Sequence, residues 1–130
     1  MTLLEQLSDK IAGILYFSES EYPLTIEQWG PLPATEVAHK IAAIHNVDQH
    51  VVKPVDASEF FAQIERSADP NDTPIVENAQ RFKALHQFLN DHLASIQVHR
   101  VENGTTIPVY ITGNQPEGAC IALATTAIES

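Results

Sequence analysis

Only one cysteine, Cys120, occurs in the 130 residues. An intrachain disulfide is therefore impossible, and no thiolate-based metal site can be assembled. Its setting, Ala119-Cys120-Ile121-Ala122-Leu123-Ala124, predicts a small buried hydrophobe and not a nucleophile. Glycine is also scarce, with five in all, and neither a glycine-rich phosphate loop nor a Gly-x-Ser-x-Gly elbow is present. No stretch reaches the roughly 18 consecutive apolar residues that a membrane span requires. The start, Met1-Thr2-Leu3-Leu4-Glu5, has neither the basic opening nor the long apolar segment of a signal peptide, so a cytoplasmic location is expected. Positive charge is sparse: 7 Lys and Arg stand against 17 Asp and Glu, for a formal net charge of −10. Such a surface repels nucleic acid and anionic membranes and attracts a basic partner. The same excess of acid would also serve solubility alone.

The apolar fraction of 44% is ordinary for a globular chain, and neither an internal repeat nor a linker divides residues 1–130, so one domain is expected. Thr2 and Glu5 form a capping-box pattern, followed by Leu4, Leu7, Ile11, Ile14 and Leu15 on one helical face, with Gly13 weakening the end. Ser18-Glu19-Ser20-Glu21-Tyr22-Pro23 reads as a loop. Leu24 to Trp29 alternates like a strand, with Leu24, Ile26 and Gln28 on one side, and Gly30-Pro31-Leu32-Pro33 breaks it. A helix from Thr35 would bury Val37, Ile41 and Ile44, and His50 to Val55 suits a short strand. Asp56 with Glu59 repeats the cap ahead of Phe60, Phe61 and Ile64.

Arg66 to Asp72 is polar and proline-bearing, hence a loop. Thr73 as N-cap and Pro74 as first helical residue open the longest helix, whose stripe of Ile75, Ala79, Phe82, Leu85, Leu89 and Leu93 runs almost to Ile96. Gln97 to Val101 is strand-like, and Ile107, Val109 and Ile111 alternate around Pro108, which suggests an edge strand or a bulge. Gly113 to Gly118 is a turn cluster, and Ala119 to Thr126 suits a buried final strand. Helices mostly first and paired strands last predict an α+β sandwich with an antiparallel sheet.

Chemistry is hard to place on this pattern. The six histidines, at 39, 45, 50, 86, 92 and 99, include no His-Glu-x-x-His pair and no familiar zinc spacing, so scattered surface positions are expected. Neither a metal in the free protein nor a cofactor is predicted. Nothing near Glu19 and Glu21 in the sequence supplies the apolar pocket that would raise one pKa, so an acid–base pair is not expected. As exposed carboxylates they could meet an arginine of a partner, or simply solvate the turn after the first helix.

Two stretches carry a family likeness. One is Leu15-Tyr16-Phe17-Ser18-Glu19-Ser20-Glu21-Tyr22-Pro23 with the strand to Trp29. The other is Val109-Tyr110-Ile111-Thr112-Gly113, through Pro116 and Gly118, to Ile128-Glu129-Ser130. Between them Phe60-Phe61, the helix around Phe82 and Leu85, and Val98 to Arg100 fall in similar order. The chain resembles the bacterial nuclease A inhibitors over nearly its whole length, with Pro31 to Val55 the divergent part. The resemblance implies a three-layer α/β/α sandwich with a mainly antiparallel sheet, similar to the pathogenesis-related class 1 fold. It implies no enzyme but a one-to-one inhibitor of a basic, sugar-non-specific endonuclease of the ββα-metal type.

The likeness also assigns roles. A glutamate at the position of Glu19 meets an arginine near the enzyme's active centre, with Glu21 beside it. A hydroxyl residue at the place of Ser130 approaches the enzyme's metal. An acidic residue followed by an aromatic acts from the loop before the long helix; here Asp69 keeps the acid, but Pro70 replaces the aromatic. That departure admits a second reading, a binding module of the same fold without inhibitory activity. A small histidine-dependent enzyme is the third.

Overall fold

The computed structural model describes residues 2–129. Thr2 starts the first helix as its composition demands: its hydroxyl oxygen accepts from the Glu5 N–H at 3.1 Å and its proton goes to Glu5 Oε1 at 3.2 Å. This helix, α1, covers Leu3–Ile11 and buries Leu7 and Ile11. It stops earlier than the apolar spacing suggests. Gly13 takes φ of +79°, which reverses the chain and sends buried Ile14 into the core from outside the helix.

Beyond it, the predicted loop is a hairpin. Strands β1 (Leu15–Phe17) and β2 (Glu21–Pro23) pair antiparallel, Leu15 opposite Pro23 and Phe17 opposite Glu21. Pro23 is tolerated because it closes a two-stranded ribbon where no further ladder depends on its missing N–H. Strand β3 (Thr25–Pro31) also outruns its expected end, since a bulge at Trp29, followed by Gly30 at φ +69°, lets pairing resume as far as Pro31.

A 3₁₀ turn, Ala34–Glu36, leads into α2 (Val37–His45). Val37, Ile41 and Ala42 are buried, whereas Ile44 is 43% exposed, so the inward stripe turns toward Ala42 and not toward Ile44. Strand β4 is Val52–Val55, shorter than expected because Gln49–Val51 forms a 3₁₀ turn capped by Asp48. Helix α3 (Ala57–Ser67) is capped by Asp56, which accepts from the Glu59 N–H at 2.9 Å. Helix α4 spans Thr73–His92, and its cap is Asp72, whose carboxylate accepts from Ile75 N–H at 3.3 Å; Thr73 is already the first helical residue.

Strands β5 (Ala94–Val101), β6 (Thr106–Asn114) and β7 (Ala119–Ile128) complete a five-stranded antiparallel sheet in the order β3-β7-β6-β5-β4. Both faces are covered. Ile107, Val109 and Ile111 of β6, with Ile121, Leu123 and Ala127 of β7, point into a core shared with α1, α3 and α4. Their neighbours Tyr110, Cys120 and Ala122 point the other way, toward α2 and Trp29. The fold is α+β in three layers, helices on either side of one sheet. Double-sided burial explains why β7 reads as an unbroken apolar run. Cys120 is buried as expected, and burial raises its thiol pKa.

Two expectations about the sheet change. Pro108 lies on an inner strand, not an edge; it pairs with Thr126 of β7, just past Arg100–Val109, the last pair of β5 with β6. Gly113 belongs to β6 and not to a turn. A Cβ there would sit 2.8 Å from Ile96 Cδ1 and 2.9 Å from Leu93 Cβ, so close packing of the α4–β5 corner requires glycine. Gly113→Ala should lower stability by about 2 kcal/mol through overpacking, read as a lower denaturation midpoint with an unchanged m-value.

Candidate functional site

The position of the hairpin depends on one buried amide. Asn78 of α4 is 8% exposed; its Oδ1 accepts from Leu15 N–H at 2.9 Å and its Nδ2 donates to Leu15 O at 2.8 Å. The side chain thus replaces a neighbouring strand for β1, on the edge that β2 does not use. Replacing Asn78 by alanine strands both Leu15 groups and should cost about 2 kcal/mol of stability. Faster amide exchange at Leu15 than in the rest of the core would accompany it.

The turn Ser18-Glu19-Ser20 at the hairpin tip is sewn to the end of β7. Ser18 N–H donates to Ser20 O at 2.9 Å, closing the turn, and Glu19 N–H donates to Ile128 O at 3.1 Å. Ile128 N–H returns a bond to Ser18 Oγ at 2.9 Å. Lower down, Thr125 Oγ1 donates to Tyr22 O at 3.4 Å. Glu19, 109 positions from Ile128 in sequence, is therefore held beside the C-terminal strand by backbone bonds, with its side chain on the exposed side.

Arg100 of β5 anchors the neighbouring surface. Its Nε donates to Glu102 Oε2 at 3.0 Å and its Nη2 to Glu129 Oε2 at 2.6 Å. Burial pulls the Arg100 pKa down, but the bonds it donates to Glu129 and Glu102 and the Glu129 charge more than reverse this. Tyr16 lies alongside, with its hydroxyl pKa raised chiefly by burial.

Between hairpin, α3, α4 and the sheet lies a cavity of about 430 Å³. Tyr16, Phe60, Ile64, Ile75, Phe82 and Ile128 provide apolar wall, and Glu19, Arg100 and Glu129 also line it. Tyr16 stacks on Phe60 with centroids 5.7 Å apart and meets Phe82 edge-on at 6.5 Å. Ser67 and Ala68 reach the same cavity, so the loop carrying Asp69 leaves from its margin. Asp69 is exposed and folds that loop by accepting from Asn71 N–H at 2.9 Å.

Of the residues singled out in the sequence, the fold brings Glu19 to the end of β7 and sets the Asp69 loop at the cavity edge. Glu21 is exposed on β2 and does not line the cavity. Ser130 lies outside the described residues. Asn78, Arg100 and Tyr16 were not singled out. A polar Asn within the stripe Ile75-Ala79-Phe82 was the one available signal for the first; nothing local marks the others.

The histidines are less uniformly superficial than expected. His99 is 4% exposed, its Nδ1 has no hydrogen-bond partner, and burial lowers its pKa. His45 Nε2 lies 2.7 Å from the Tyr110 hydroxyl, whose pKa is pushed up to about 12 by burial and, second, by the charge of Glu27. His86 stacks on Phe61 at 4.2 Å, while His39, His50 and His92 are exposed. Among the described residues no three His, Cys, Asp or Glu side chains are grouped to hold a metal ion. Nor is any helix there long and apolar enough to cross a membrane.

Fold and site together define an acidic α+β domain that presents carboxylates beside an apolar cavity on one face of its sheet. The model of the nuclease A inhibitor-like protein family matches residues 1–130, and the chain belongs to that family. That membership supports a role in nuclease inhibition. Comparison with curated proteins gave no match.

Proposed function

We propose that this protein binds one-to-one over the active site of a basic, sugar-non-specific endonuclease of the ββα-metal type and blocks it. Such an active site is a basic cleft holding a divalent cation, shaped for phosphate. An acidic surface is steered into it, and a carboxylate there forms charge-assisted bonds to arginine. In this reading Glu19 meets an enzyme arginine, Glu21 adds a weaker contact, Asp69 contributes from the loop before α4, and Ser130 approaches the enzyme's metal. No bond is offered for hydrolysis, so the complex persists.

The observation that carries the reading is the pair of bonds joining Ser18 and Glu19 to Ile128. They make the Glu19 turn and the end of β7 one continuous surface, so both can face one partner. Titrating a ββα-metal nuclease with the protein should abolish its activity with an endpoint at one equivalent. Full activity in large excess of the protein would refute the proposal for that enzyme.

Pro70, in place of an aromatic after Asp69, favours the second reading, a binding module that does not inhibit. That reading expects a stable complex in which the nuclease still turns over.

A further inference from the structure

We propose that Arg100 is a positioning residue for the C-terminal tail, holding Glu129 so that the residue after it is aimed at the partner. The inference rests on the role given to the tail above. Arg100 is on β5 and Glu129 follows β7, with β6 between them, so no ladder hydrogen bond can join the two strands. The guanidinium makes that connection, at 2.6 Å, while its Nε is occupied by Glu102 at 3.0 Å. Serving two separate carboxylates in fixed directions uses the planar fork of arginine, which a lysine ammonium does not reproduce.

Glu129 is thereby held twice. Its N–H donates to Thr105 O at 2.9 Å, and its carboxylate is on Arg100. With the backbone entering it and the side chain leaving it both fixed, its ψ is the main remaining freedom that sets the direction of the next residue. Ordering the tail before binding lowers the entropy lost in the complex.

Stability alone does not account for this arrangement. Arg100 itself is 18% exposed, but both carboxylates are about half exposed, at 42% and 50%, and screening by water limits what ion pairs to such groups add to folding. Charge does not account for it either. The chain has only seven basic residues, and placing one among the carboxylates of an acidic surface opposes the attraction of a basic partner. A geometric role is consistent with both facts.

The test is Arg100→Met, which keeps the apolar stem against the cavity and removes both carboxylate bonds together with the polar contact to Tyr16. Against a responsive nuclease its affinity should fall about tenfold, in the off-rate, although the protein has become more negative. With Ser130 deleted, the same substitution should change affinity less than about twofold, because the two act as one unit. Glu102→Gln, which leaves the Glu129 bond in place, should bind like the parent. Undiminished affinity of Arg100→Met, or an equal loss with and without Ser130, would overturn the proposal. Hydrogen exchange of the free protein provides a readout independent of inhibition: the Glu129 amide should exchange faster in Arg100→Met. An unchanged rate there refutes the clamp itself. A parent protein that inhibits no such nuclease instead counts against the functional reading.

Discussion

Glu19→Gln should weaken binding to a responsive nuclease by roughly 2–5 kcal/mol, the range for removing one member of a buried, hydrogen-bonded charge pair at an interface. The substitution preserves shape and both backbone bonds of the turn, since Glu19 contributes its main-chain N–H and not its side chain to the Ile128 bond. Glu21→Gln should cost less, because Glu21 sits on β2, away from the cavity that Glu19 lines. Calorimetry or inhibition kinetics at two salt concentrations would separate the effects. A buried pair appears in the off-rate, whereas a merely steering charge appears in a salt-dependent on-rate. Equal and negligible losses for the two variants would remove the hairpin from the interface.

Deleting Ser130, or extending the chain by two glycines after it, should reduce inhibition about a hundredfold, near 3 kcal/mol, with no change in melting temperature. Ser130 supplies a hydroxyl, and a carboxylate as well where the chain ends there; both are hard oxygen donors suited to a magnesium-type ion. A final strand ending at Thr126, as the sequence suggests, leaves Ala127 to Ser130 beyond it as a tether. The structure shortens it: β7 continues to Ile128, and Glu129 is bonded to Thr105 and Arg100. A shorter tether loses less entropy when its end is fixed in an active site. Both variants leave every one of those contacts in place. Full inhibition by both would exclude the tail and leave the blockade to the Glu19 turn. In that case Arg100→Met should be silent as well.

Asn78 and Gly113 show where local reading runs out. Each looks ordinary in its segment: a polar residue on a long helix, and a glycine near a turn. Their roles depend on Leu15 and on Leu93 with Ile96, and for Asn78 and Leu15 the partners are 63 positions apart. The hairpin is not legible in its own segment for a related reason. Serines and a proline oppose a strand by propensity, but Asn78 on one edge and Thr125 on β7 supply external partners that the propensity does not count.

Helices α1, α3 and α4 are legible in the residue order alone, because their caps and apolar spacing act within a few residues and need no distant partner. So are the buried character of β7 and the acidic surface, which follow from composition. Which carboxylate stands next to the C-terminal strand, what holds it there, and where the cavity opens are set by the folded arrangement. Those facts come from hydrogen bonds and packing between segments distant in the chain, whose geometry exists only once the sheet has fixed its strand order and register.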